Sequence, residues 1–270
     1  MIAPRVHDIR PFLAFLVSLI ALAWLGLVVW GQSPHGRFLS HEAIGDTGGP
    51  LGLGYAGVAA LFVAAWLLMT TAMMLPTVLP LLLLFRRFIA ARRDAGAITT
   101  GLLAGYLLVW ALFGALAHLG DLAIHIAVAR SQWLEEQSWL LGAGTLAVAG
   151  AYQFTPLKYY CLDKCRSPFS FIVEHWHGRQ PRLDAFRLGF HHGVFCVGCC
   201  WSLMLLMFAL GAGNVGWMLA IGAIMAVEKN VPWGKRLSVP LGLLLLGLGF
   251  GFLAANVGLG TACAHDGGAC

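Results

Sequence analysis

Charge is what this sequence has least of. Asp, Glu, Lys and Arg make up 11% of its 270 residues, and hydrophobic residues make up 59%. Soluble domains carry about a quarter charged residues. A chain this apolar spends nearly all its length in spanning a bilayer. No stretch is polar enough for a separate soluble catalytic or nucleotide-binding domain, and no glycine loop of the Walker type is present. An ATP-driven pump built from this chain alone is therefore excluded. Recognisable quinone or haem patterns are also missing. The seven cysteines are an odd number, which excludes a complete disulfide framework. The net charge of +5 calls for no nucleic-acid partner, because an asymmetry between connecting segments accounts for it.

What is abundant is long apolar runs. Seven are marked, at about 12–30, 55–84, 99–120, 138–158, 187–210, 214–228 and 239–259. A spanning helix needs about 20 residues, so the sixth is short. The first follows Arg5 and Arg10 but is longer than a signal-peptide core and lacks a small-x-small cleavage site, which predicts a retained helix. Basic residues gather in alternate connections. Arg86, Arg87, Arg92 and Arg93 fill the second, six Lys and Arg from Lys158 to Arg187 the fourth, and Lys229, Lys235 and Arg236 the sixth. The positive-inside rule then places the N-terminus in the cytoplasm and the C-terminus outside. The expected fold is all-α, a single polytopic bundle over residues 1–270 embedded in the lipid bilayer.

The densest chemistry lies in Gly189 to Gly211, where His191, His192, Cys196, Cys199, Cys200, Met204 and Met207 interrupt an apolar run. On a helix, residues three, four and seven apart share a face. Cysteine and methionine are common packing residues in buried helices. Three cysteines two turns from a histidine pair nevertheless point to a site, and polar ligands within a membrane mark function. Thiolate, thioether and imidazole suit soft metals, Cu(I) above all. Zinc is second, because Cys and His also suit it but the methionines favour copper. The second helix supplies Met69, Met73 and Met74 at a similar depth, beside Pro76 and Pro80, which can kink or unwind it. The third has a small-xxx-small packing face at Gly101 and Gly105. At its outer end His118, Asp121 and His125 lie on one face and could form an entrance.

After the fourth helix, Cys161 and Cys165 have the spacing of one helical face. Lys158, Lys164 and Arg166 lie nearby, and cations favour thiolate. The pair reads as a cytoplasmic docking or exit point for an ion. Glu174, His175 and His177 read as a polar loop, and Glu228 with Lys229 as interfacial anchors. Cys263 and Cys270 in the tail could pair in an oxidising compartment or bind metal with His265.

The strings WLLMTTAMMLP, QFTPLKYYCLDKCRSP, GVFCVGCCWSLMLLMFALG and GWMLAIGAIMAVEK resemble a bacterial family of predicted metal-binding integral membrane proteins, a domain of unknown function. The resemblance covers about residues 55–232. It implies a multi-helix protein of the bacterial inner membrane that binds metal, and it assigns no reaction. Together these readings favour a copper-handling membrane protein rather than an enzyme. It would be a Cu(I) transporter, or a factor that delivers copper to a membrane metalloenzyme, with a soluble copper carrier as a further partner. The alternatives are a membrane oxidoreductase or thiol-redox protein, in which Cys196, Cys199 and Cys200 exchange disulfides or a bound metal is redox-active, and a structural subunit of a membrane complex.

Overall fold

The structure, a computed structural model, describes residues 9–32, 54–210 and 214–265. Among these there are helices and turns but no strand. In chain order the helices are α1 Arg10–Gly31, α2 Tyr55–Phe88, α3 Ala95–Arg130, α4 Gln132–Glu136, α5 Trp139–Tyr152, α6 Pro156–Arg166, α7 Pro168–His175, α8 Pro181–Leu210, α9 Val215–Asn230 and α10 Ser238–His265. A 3-10 turn, Gly234–Leu237, precedes the last.

Five of these, α1, α2, α3, α8 and α10, are long and apolar enough to cross a membrane. The other two apolar segments form shorter helices, α5 with 14 residues and α9 with 16. The fourth segment stops early for a local reason. Thr155 accepts a hydrogen bond from the Lys158 amide and Pro156 occupies the first helical turn, so a new helix starts there. Asn214 caps α9 in the same way, accepting from the amides of Gly216 and Trp217 at 3.0 and 3.2 Å. α2 runs unbroken through Pro76 and Pro80. Neither proline has an N–H, so the carbonyls of Ala72 and Pro76 lose their usual helical donors.

α2, α3, α8 and α9 form the centre, with α1 against α2, α10 against α5, and α6 and α7 folded over one end of α8 and α2. The outer faces carry exposed Phe15, Leu22, Val29, Leu116, Leu243 and Phe250. In water so much exposed apolar surface would be an aggregation hazard; against lipid chains it is ordinary.

The tightest contact is α3 on α8, and glycines make it. A Cβ on Gly105 would stand 2.1 Å from the Phe186 carbonyl oxygen, and one on Gly189 would stand 1.9 Å from that of Leu102. The Gly101 and Gly105 face expected from the sequence thus receives the α8 backbone at Arg182, Phe186 and Phe190, and Gly189 and Gly193 of α8 receive α3 at Leu102, Tyr106 and Val109. The obstructing atoms are backbone and cannot rotate away. Gly189→Ala is therefore expected to destabilise the bundle by about 3 kcal/mol, the upper end for overpacking. Thermal unfolding in detergent reads this directly, and a midpoint equal to wild type would show that the helices do not approach this closely.

Candidate metal centre

α8 carries Cys196, Cys199 and Cys200 on the face turned toward α2, α6 and α9, and all three are about 1% exposed. The Sγ atoms of Cys199 and Cys200 both donate to the Cys196 carbonyl, at 3.1 and 2.8 Å. That ties their rotamers to the helix. Sulfurs from two other helices join them. Met74 Sδ of α2 lies 3.9 Å from Cys200 Sγ, and Cys165 Sγ of α6 lies 3.9 Å from Cys199 Sγ. Tyr106 of α3 places its hydroxyl 3.2 Å from Cys196 Sγ.

The centre also holds a charge. Lys229 of α9 is 6% exposed, and its Nζ lies 3.0 Å from Cys196 Sγ, 3.7 Å from Met74 Sδ, 3.9 Å from Cys200 Sγ and 3.4 Å from Thr77 Oγ1. The sequence reading took Glu228 and Lys229 for interfacial anchors; both are buried. Glu228 pairs with Lys158, whose Nζ lies 2.8 and 3.1 Å from the two carboxylate oxygens and also donates to Gln153 Oε1. Ser238 Oγ adds a bond of 2.8 Å to Glu228. Arg166 donates to the carbonyls of Glu228 and Pro232. The sequence did hold the signal for Lys229. Met218, Gly222, Met225 and Lys229 follow the spacing of one helical face, and all four are buried.

The remaining residues expected at a site divide clearly. Cys161 and Cys165 do share one helix, but Cys161 Sγ packs on the bare backbone of Gly198 and Cys165 reaches Cys199. The pair expected at a separate, cytoplasmic depth is therefore continuous with the α8 cluster. The cations meant to favour their thiolates are engaged elsewhere: Lys158 on Glu228, Lys164 on Glu174 at 2.8 Å, and Arg166 on backbone. Burial pushes the Cys161 thiol up, and its hydrogen bond with Cys199, followed by burial, does the same for Cys165.

His192 is 4% exposed, one turn before Cys196, and its Nδ1 is buried with no hydrogen-bond partner among the described residues. His191 is exposed, its ring 5.0 Å from that of His175. Met69, Met73 and Met204 are buried, with Met73 packed beside Gly222; it is Met74 that touches a cysteine sulfur. At the far end of α3, His125 Nδ1 lies 2.9 Å from the Asp121 carbonyl and 3.5 Å from its carboxylate, while His118 is buried with its ring 4.8 Å from Phe62. An apolar cavity of about 610 Å³ lies between α3, α5 and α8, but no Cys, Met or His lines it. The side chains of Cys263 and His265, and Cys270, fall outside the described residues.

Among the described residues no three His, Cys, Asp or Glu side chains converge as a ready cage for an ion. The donors here are of another kind, thiol and thioether sulfurs with an ammonium among them. This set suits a soft monovalent ion, which is content with few sulfur ligands, better than zinc with its four.

Neither a curated protein nor a solved structure matches the chain. A family model described as copper chaperone, PpoB2, matches residues 63–252. That span holds every sulfur of the cluster, the lysine and the buried ion pair, and the chain belongs to this copper chaperone family.

Proposed function

We propose that this protein is an integral membrane carrier of Cu(I) that passes the ion to a copper-requiring enzyme in or beyond the membrane. The observation that carries the reading is the meeting of Cys196, Cys200 and Met74 from two helices in a buried setting, with Cys199 and Cys165 as an adjoining sulfur pair. Copper is the cargo here, not a resident cofactor. Thioether binds Cu(I) without losing a proton and thiolate holds it harder, so an ion can step between unequal sulfurs.

The single domain crosses the bacterial inner membrane seven times, with α5 and α9 as the two short crossings, the N-terminus in the cytoplasm and the C-terminus in the periplasm. The alternating basic connections support this orientation. Cys161 and Cys165 then lie toward the cytoplasmic end, where a soluble carrier could meet them. His191 and His192 flank the sulfurs on α8. Met69, Met73 and Met204 line the approach, and His118, Asp121 and His125 lie at the outer end. The adjoining Cys165 and Cys199 also make thiol exchange a second reading, in which their two thiols reduce a partner's disulfide to two thiols, the two electrons and two protons passing to it as the Cys165–Cys199 disulfide forms, and metal is incidental.

Protein purified in detergent under reducing, anaerobic conditions is expected to bind Cu(I) at about one equivalent with all-sulfur coordination in X-ray absorption. Zinc should not displace it. Protein that takes up no Cu(I), but cycles reversibly between a Cys165–Cys199 disulfide and two thiols, would establish the second reading instead.

A further inference from the structure

In an ordinary soft-metal site the sulfurs surround the ion. In this bundle they surround a side chain. The Lys229 ammonium is a donor-only group, and its nitrogen lies 3.0 Å from Cys196 Sγ, 3.7 Å from Met74 Sδ and 3.9 Å from Cys200 Sγ. The midpoint of those three sulfurs can be no farther from the nitrogen than the farthest of them, 3.9 Å. An ion held there at metal–sulfur lengths of about 2.3 Å would compete with the ammonium for the same lone pairs. It would also face a like charge across a buried interior, where screening is weak.

Resting on the copper reading above, we propose that Lys229 is a tethered cation that Cu(I) must displace. One positive charge enters the sulfur cluster as the other swings out, and the exchange reverses when the ion leaves. The flexible four-carbon stem allows this swing. Thr77 Oγ1, 3.4 Å away on α2, already offers the ammonium an oxygen partner.

The exchange suits a chaperone. Sulfur ligands alone hold Cu(I) hard, and a carrier must let go. A competitor built into the wall lowers the hold without sacrificing a ligand, and it covers the sulfurs again once the ion has gone. Two other roles for the lysine predict the opposite sign. A fixed counter-charge to an anionic copper–thiolate centre, or a neutral nitrogen ligand, would each strengthen binding, so its loss would weaken it.

The test uses the full chain in detergent, reduced and anaerobic, with Cu(I) affinity read by competition against a chromophoric chelator. Lys229→Leu removes the competitor and adds no ligand; affinity is expected to rise by about tenfold or more. Lys229→Arg keeps the charge in a bulkier, stiffer cation; affinity is expected to fall by about tenfold. The chain has only four lysines, so its side-chain ¹⁵N spectrum is simple. The resonance missing from the arginine variant, and from the leucine variant, identifies Lys229. In wild type it should shift on addition of one equivalent of Cu(I).

Unchanged or weaker binding in Lys229→Leu, wild-type binding in Lys229→Arg, or a Lys229 resonance that does not move would each overturn displacement. They would leave copper binding intact. If the leucine variant is not monodisperse, the arginine variant and the wild-type resonance decide. Wild-type protein that binds no Cu(I) overturns both the copper reading and this inference.

Discussion

Cys196→Ser combined with Cys200→Ser is expected to weaken Cu(I) binding by at least about a thousandfold, or ~4 kcal/mol. Both sulfurs belong to one face of α8 and both adjoin Lys229 Nζ, at 3.0 and 3.9 Å. Serine is close in size, and at position 200 it keeps the hydrogen bond to the carbonyl of residue 196, but it offers a hard oxygen to a soft ion. The fold should therefore survive while the affinity does not. Met74→Leu removes a thioether that needs no deprotonation, and it should cost less than either cysteine. Competition with a chromophoric chelator measures all of these on one scale. If the double serine variant binds as wild type does, the ion is held elsewhere, and the Cys165–Cys199 pair is the next place to test.

Lys158→Met is expected to cost about 3–5 kcal/mol of stability. Lys158 is 0% exposed and Glu228 is 2% exposed. The lysine spends all three of its protons on Glu228 Oε1, Glu228 Oε2 and Gln153 Oε1. Taking the lysine away leaves a buried carboxylate with Ser238 as its remaining side-chain donor. The loss comes from that stranded charge more than from the pair itself. The double variant Lys158→Met with Glu228→Gln should thus recover most of the deficit. Apparent unfolding midpoints of the two single variants and the double decide it. A double variant as unstable as Lys158→Met would show that packing, not charge, is what the lysine supplies.

The helical architecture was legible because lipid imposes a coarse rule: long apolar runs become helices. Each of the seven runs marked in the sequence overlaps a helix, and five of those helices are long and apolar enough to cross a membrane. Less legible was where the fourth run ends. A single capping threonine followed by proline turns the chain into α6, and hydropathy averages over such a detail. The three cysteines of α8 stood out by their density, and the methionines of α2 by their number. Which methionine would touch them did not follow, because Met69, Met73 and Met74 differ in height along α2 and in rotation about it, and both depend on what packs behind. Lys229 was the larger miss. A lysine beside a glutamate at the end of an apolar run usually reaches for the interface. Here Glu228 is bound by Lys158 from another helix, which fixes the rotation of α9 and aims Lys229 inward. Tyr106 was equally hidden, since its partner Cys196 is distant in sequence and nothing local marks it.

α2 passes Pro76 and Pro80 without breaking, and Met74 and Thr77, the two α2 residues that touch Lys229, lie within three residues of the first of them. Stiffness is therefore unevenly distributed in this molecule. Along α3 and α8 the backbones interlock and any shear would drive atoms into one another. Along α2 the hydrogen-bond ladder has two missing rungs at the level of the sulfurs. The wall beside the lysine is the compliant one and the wall behind the cysteines the rigid one; on the copper reading proposed above, a small flexure of α2 would admit an ion while Cys196 and Cys200 keep their places.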